Sequence, residues 1–334
     1  MLKDMMPHFD LYQPDTLEAA LDLAANLGEE GWLVGGGQDS WDWLKNRTKR
    51  TRAVIELSGI PALKGVRSDG EGMQIGALTT LTEIENDPQV RERFGLLAAA
   101  AGRVASPQIR NAGTLGGNIS QDTRCWYYRA GVDCYRAGGN TCYADTPAGQ
   151  NREHAIFNAS RCVAVTPSDT AGALTALDAS MVIARRGGER VVPAAKFFVD
   201  PAVNIRRMTV LDPGEILTAV RIPPNWADGE GRQVKFYFEK VADRAAWDFA
   251  LLSIAAAFRM DGDKISEARV VLGAAACVPH RLRKVERALA GASRNSETAD
   301  IVATLESAAA RTLGFNQFKV PLMENLIRRA VRGA

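Results

Sequence analysis

The sequence predicts an α plus β protein of two domains, and three observations carry that expectation. The chain has 334 residues, enough for two or three domains at roughly 100–200 residues each. Short apolar runs rich in Val and Ile alternate with alanine- and leucine-rich stretches of helical period. Proline, glycine and charge cluster at Pro223-Pro224-Asn225-Trp226-Ala227-Asp228-Gly229-Glu230-Gly231, the composition of a domain boundary. Hydrophobic residues make up 46% of the chain and charged residues 24%, which excludes a disordered protein. The 41 basic and 39 acidic residues leave a formal charge of +2, too little for a nucleic-acid or anionic-membrane footprint. The best apolar run, residues 251–258, falls far short of the ~18 residues of a membrane helix, so no membrane insertion is expected. Residues 1–8 hold no apolar signal-peptide region. The expectation is a cytoplasmic protein, periplasmic only if exported with a partner subunit.

Taken in order, Asp15-Thr16-Leu17-Glu18 reads as a capping box. It opens a helix with Leu17, Leu21 and Ala24 on one face, closed by Gly28. Trp32-Leu33-Val34 reads as a strand running into Gly35-Gly36-Gly37-Gln38-Asp39-Ser40. Residues 53–57 and 73–77 read as further strands, 82–104 as mostly helical, and 106–120 as a loop with glycines at 113, 116 and 117. A long polar segment without period follows; connections of that length are usually functional. Residues 171–177 resume a helix and 181–183 a strand. Beyond the boundary, residues 235–240 begin a β-rich segment. Residues 252–260 and 268–275 flank Asp261-Gly262-Asp263 as a hairpin. Helices are expected at 279–289, 297–313 and 321–331. The expected domains are 1–228, with an insertion at 122–165, and 229–334.

Two features carry chemistry. The glycine turns at 35–37 and 113–118 let the backbone approach a ligand closely, and successive bare N–H groups there form a nest for a pyrophosphate. Neither is a Walker A motif or a Gly-x-Gly-x-x-Gly fingerprint. Cys125, Cys134, Cys142 and Cys162 crowd the polar segment, while Cys277 lies in an apolar run and reads as a buried, inert thiol. The spacing C-x8-C-x7-C-x19-C matches neither a zinc ribbon nor a ferredoxin. It leaves an iron–sulfur cluster, structural zinc, disulfides after export and coincidence open. With three histidines, no Gly-x-Ser-x-Gly and no His-Glu-x-x-His, hydrolytic schemes are unsupported. His154 lies inside the cysteine segment and reads as structural.

In order, these residues resemble the FAD-binding medium subunit of the molybdenum hydroxylases, the group of xanthine dehydrogenase and carbon monoxide dehydrogenase. The likeness rests on Gly35 to Ser40, on Gly113-Thr114-Leu115-Gly116-Gly117-Asn118-Ile119, on Thr166-Pro167-Ser168-Asp169 after an insertion, on Lys240-Val241-Ala242-Asp243-Arg244, and on Leu272-Gly273 through Pro279-His280-Arg281. Gln38 and Ser40 replace the usual threonine and leucine. The insertion resembles that of 4-hydroxybenzoyl-CoA reductase and, more closely through Asn151-Arg152-x-His154-Ala155 and Cys162, that of periplasmic-type aldehyde oxidoreductases. The resemblance implies a two-lobed FAD-binding domain of the vanillyl-alcohol oxidase type plus a smaller C-terminal α+β domain. It implies FAD held by Val34, Gly35, Gly36, Gly37, Gln38, Asp39, Ser40, Gly113, Thr114, Gly116, Gly117, Asn118 and Ser120. Ser168 and Asp169 would lie at the ribityl or ring side and Lys240 at the ring edge. It implies a [4Fe–4S] cluster on Cys125, Cys134, Cys142 and Cys162, a large molybdopterin-binding subunit and a small subunit with two [2Fe–2S] centres. Electrons would pass through this chain to an external acceptor, and an aldehyde would be oxidised at molybdenum on another chain. An aryl-CoA, an N-heterocycle or a steroid as substrate, and a free-standing FAD oxidase, are the alternatives.

Overall fold

The computed structural model describes residues 5–70, 72–229, 231 and 233–333. Residues 1–4 of the N-terminal stretch and Glu230 of the expected boundary lie outside the described residues. The strands fall into three sheets. The first is parallel, in the order β1-β3-β2, from β1 (Asp10–Tyr12), β2 (Gly31–Val34) and β3 (Ala53–Glu56). The second is antiparallel, in the order β4-β5-β8-β6-β7, from β4 (Val66–Asp69), β5 (Gly72–Gly76), β6 (Ser180–Arg185), β7 (Gly188–Pro193) and β8 (Ile216–Ile222). The third, also antiparallel, runs β12-β11-β10-β9 and comprises β9 (Val234–Val241), β10 (Leu252–Asp261), β11 (Lys264–Gly273) and β12 (His280–Arg281).

The helices explain how these sheets stack. They are α1 (Leu17–Leu27), α2 (Ser40–Lys45), α3 (Leu81–Asn86), α4 (Pro88–Arg93), α5 (Gly95–Gly102), α6 (Pro107–Ala112), α7 (Leu115–Ser120), α8 (Trp126–Arg129), α9 (Asp169–Ala176), α10 (Ala194–Phe197), α11 (Arg283–Leu289), α12 (Ser296–Ala303) and α13 (Lys319–Arg332). The α1 helix covers the parallel sheet through Ala20 and Ala24. The α5 and α9 helices lie between the second and third sheets, and every residue of α9 is buried. The far face of the third sheet packs on α11, α12 and α13. Strand β10 is therefore covered on both sides: Ala255 and Ala257 face one core, Ile254, Ala256 and Phe258 the other. This is why its sequence is a continuous apolar run rather than an alternation. Among the described residues no helix is long and apolar enough to cross a membrane.

Several sequence expectations need correction. The first helix is capped by Thr16, whose Oγ1 accepts from the Ala19 amide at 3.2 Å, so Asp15 and Glu18 form no box. The reciprocal box lies at Thr80 and Glu83 instead. Residues 106–120 are two short helices rather than a loop, because Ser106 and Thr114 are N-caps and Pro107 occupies the first helical turn. The helix expected over 297–313 ends at Ala303. Beyond it the Arg311 amide donates to Ile156 O at 2.8 Å and the Leu313 amide to Asn316 Oδ1 at 2.6 Å. Tertiary bonds thus replace the helical ones. Strands β4, β7 and β8 were not foreseen.

The same C-terminal region clasps the cysteine segment. Ile156 and Phe157 enter the core under α13, and both amides donate to Ala275 O. Lys319 has no solvent exposure, and its Nζ donates to Glu153 O at 3.0 Å, His154 O at 2.9 Å and Ala274 O at 2.9 Å. Burial pushes its pKa down to about 7. Lys319→Met would strand the Glu153 and Ala274 carbonyls, while His154 O keeps the Asn316 side-chain amide as a donor. With roughly 1–3 kcal/mol for each unsatisfied group, partly relieved by water, the expected loss is about 2–4 kcal/mol in urea unfolding. An unchanged midpoint would show that the clasp contributes nothing.

Candidate functional site

Strand β2 ends on Val34, buried against Leu44 and Val54, and the chain then turns through Gly35 to Gly37. Gly36 and Gly37 have φ of 86° and 72°, the left-handed region that favours glycine. A Cβ on Gly36 would overlap the Ala112 carbonyl oxygen. The second glycine motif sits directly against this turn. Thr114 Oγ1 donates to Gly35 O at 2.8 Å and accepts from the Gly117 amide at 3.1 Å. A Cβ on Gly117 would lie 2.8 Å from Gly35 O, and one on Gly116 would lie 2.9 Å from Ala77 O. The two motifs pack backbone on backbone, and only glycine allows it. Here the structure refines the expected nest. The amides of Leu115, Gly116 and Gly117 are engaged by Thr79 O, Ala77 O and Thr114 Oγ1. Among the described residues those of Gly36 to Asp39 donate to no protein acceptor. The first motif supplies the open donors and the second buttresses it.

The third part comes from α9. Asn118 Oδ1 accepts from Ser168 Oγ and Thr170 Oγ1, both at 2.6 Å, while Ser168 caps α9 by accepting from the Ala171 amide. Asp169 pairs with Lys240 Nζ at 2.6 Å, and both side chains are almost fully buried. Burial raises the Asp169 pKa against the opposing pull of Lys240. The Lys240 ammonium also donates to Arg103 O at 3.1 Å and Asp248 O at 2.8 Å.

A cleft of about 530 Å³ joins these parts, a size typical of ligand sites. Of the residues expected at a cofactor, Gly35, Gly37, Gln38, Asp39, Ser40, Gly113, Thr114, Gly117, Asn118, Ser120 and Asp169 line it. Val34, Gly36, Gly116, Ser168 and Lys240 stand behind the wall and hold it: Lys240 reaches the cleft through Asp169 and Asp248. Sequence reasoning missed Trp43, Lys49, Asp122, Arg124, Trp247 and Phe249 in the lining. Trp247 has φ of 59°, a strained conformation for a bulky residue, and is exposed at the cleft. The aromatic pair at Trp41 and Trp43 was the available signal.

Asp39 ties this cleft to the cysteine segment. Its carboxylate accepts from Trp43 Nε1 and the Asp122 amide, each at 3.1 Å, and pairs with Arg129 and with Arg124 Nη2 at 3.1 Å. Asp122 in turn binds Lys49 Nζ at 2.5 Å and Arg136 Nη2 at 3.2 Å. Burial would raise the Asp122 pKa, but Lys49 and Arg136 hold it down. Cys125, Cys134, Cys142 and Cys162 all line one cavity with Tyr128, Arg136 and Arg161. None is in a disulfide. Among the described residues no three His, Cys, Asp or Glu side chains gather as a site for a metal ion. Cys277 is buried apart from them, with burial pushing its pKa up to about 12.

Residues 7–225 match the model of the FAD binding domain in molybdopterin dehydrogenase, and residues 237–334 that of the CO dehydrogenase flavoprotein C-terminal domain. The chain belongs to this family. It is 32% identical, over 93% of its length and 92% of the relative's, to the aldehyde oxidoreductase FAD-binding subunit of Escherichia coli strain K12. It is 27% identical to the carbon monoxide dehydrogenase medium chain of Hydrogenophaga pseudoflava, over 98% and 97% of the two chains. A solved structure of carbon monoxide dehydrogenase from Hydrogenophaga pseudoflava superposes with a TM-score of 0.77 and 25% identity, covering 99% of this chain and 98% of that one. The chain is thus an FAD-binding subunit of the molybdenum hydroxylase family, and the cleft's open amides, close glycine approach and aromatic mouth fit a flavin dinucleotide. Gly36→Val should leave FAD content, read from flavin absorbance per chain, below half of wild type. Gly188→Ala, with an ordinary backbone conformation and open space around its Cβ, is the control. Full occupancy in Gly36→Val would contradict the backbone-approach account.

Proposed function

We propose that this FAD-binding subunit passes electrons between iron–sulfur centres and an external acceptor, using FAD and a [4Fe–4S] cluster of its own. Its partners are a large molybdopterin-binding subunit, where an aldehyde is oxidised at molybdenum, and a small subunit with two [2Fe–2S] centres. One observation carries the cluster: the four unevenly spaced cysteines of the polar segment line one cavity, and Asp39 and Asp122 fasten that cavity to the flavin cleft. Its chemistry fits a thiolate-bound anionic group. Arg136, already paired with Asp122, is buried in the cavity wall with Nε lacking a hydrogen-bond partner, a donor that an anionic group there would satisfy. Four thiolates satisfy a cubane or a tetrahedral zinc alike, and the metal content measured below separates the two. The aldehyde is supported by the likeness to the aldehyde oxidoreductase subunit.

Bound FAD supplies stepwise electron acceptance and release. The chain's own residues do the rest. The amides of Gly37 to Asp39 receive the pyrophosphate, and Thr114 holds the two glycine motifs at fixed spacing. Lys240 fixes the Asp169 carboxyl at the cleft wall, and Trp247 and Phe249 limit water at the mouth. In the intact complex, Cys134→Ser should remove about four irons per chain, with the matching paramagnetic resonance signal, and leave the partner subunits' iron in place. One zinc per chain and no iron beyond that of the partners would refute the cluster.

A further inference from the structure

Four cysteines complete the ligand set of a cubane, which leaves His154 without an assigned role. The fold nevertheless places this residue firmly. Its amide donates to Asn151 O at 3.1 Å, and its carbonyl accepts from Lys319 Nζ at 2.9 Å and Asn316 Nδ2 at 3.1 Å. With the backbone held, the buried imidazole points Nε2 at Cys125 Sγ, 3.3 Å away. Its Nδ1 is buried and has no partner among the described residues.

Cys125 is also distinguished by position. A small second cavity is lined by Cys125 and His154 on one side and by Ser168, Asp169 and Phe249 on the other. Asp169 and Phe249 line the FAD cleft as well, and Cys125 lines the four-cysteine cavity. Among the described residues Cys125 is the cysteine common to both small cavities, so its sulfur stands on the flavin side of the cluster site.

We propose that His154 is a positioning residue that donates a hydrogen bond from Nε2 to the Cys125 sulfur, raising the reduction potential of the cluster at the ligand that faces the flavin. This rests on the cluster reading above. The direction of the bond follows from charge: a ligating thiolate carries no proton, so Nε2 must carry one. The bare Nδ1 is then an unpaired acceptor, which a protein tolerates better than a stranded N–H. A hydrogen bond to a ligand sulfur offsets negative charge. It therefore favours the reduced, more negative state and raises the potential. No bond forms or breaks and no proton moves; the histidine alters only how readily one electron enters or leaves.

The test uses the intact complex with His154→Leu and His154→Gln, the glutamine amide replacing the Nε2–H. A redox titration followed by electron paramagnetic resonance gives the cluster potential, the flavin serves as internal reference, and iron and sulfide are assayed in each protein. The expected result is a lower cluster potential in His154→Leu, recovery toward wild type in His154→Gln, and unchanged iron and flavin potential in both. An unshifted potential in His154→Leu with its iron retained overturns the inference and leaves the cluster standing. Loss of this chain's iron in both variants makes His154 a ligand or scaffold and equally overturns it. Zinc in place of the cluster in the wild-type complex overturns the cluster reading, and this inference with it.

Discussion

The carboxylate of Asp39 is the interaction on which the two halves of the site depend. It stands at the end of a glycine turn whose amides, among the described residues, donate to no protein acceptor, yet it makes no cap bond to the helix that follows. It accepts instead from Trp43, from the Asp122 amide and from two arginines of the cysteine segment. Arg129 lies with its guanidinium 3.6 Å over the Trp43 ring, so the pairing is sheltered rather than solvated. The side chains are only partly buried, so removing one partner costs less than in a fully buried pair, but it leaves the remaining charges short of compensation. Through Asp122 the same network reaches Arg136 in the wall of the four-cysteine cavity. The flavin turn and the cysteine cavity therefore have one electrostatic frame.

A second constraint acts from the opposite side. The cysteine segment has little regular structure, so its backbone polar groups need partners from elsewhere. The C-terminal domain provides them: Lys319, Asn316 and the Arg311 amide all bind carbonyls of residues 153–156. Phe157 stacks on His280 with ring centroids 4.2 Å apart. The segment is pinned between Asp39 of the FAD-binding domain and Lys319 of the C-terminal domain. A long, uneven cysteine spacing can then close on one cavity.

Local patterns were legible in the sequence, and pairings across the chain were not. The hairpin around Asp261-Gly262-Asp263 and the strand ending at Val34 announce themselves through turn residues and β-branched runs. Strands β4, β7 and β8 did not, since β4 and β7 are short, mostly exposed and charged. The stretch around Gly113 to Gly117 looked like a loop because glycine disfavours helices. Thr114 and the close approach to Gly35 and Ala77 override that preference. The glycine motifs and Asp169 were readable at the site by resemblance. Trp247 and the bonds of Lys319 to Glu153 and His154 were not, because those partners lie more than a hundred residues away.

The central claim is that flavin and cysteine sites share one frame. The direct measurement is FAD and iron per chain in Asp39→Ala, determined on the intact complex. The account predicts that both contents fall together, because the glycine turn and the Arg124–Arg129 arm lose their common anchor. Loss of flavin alone, with this chain's iron intact, would contradict it.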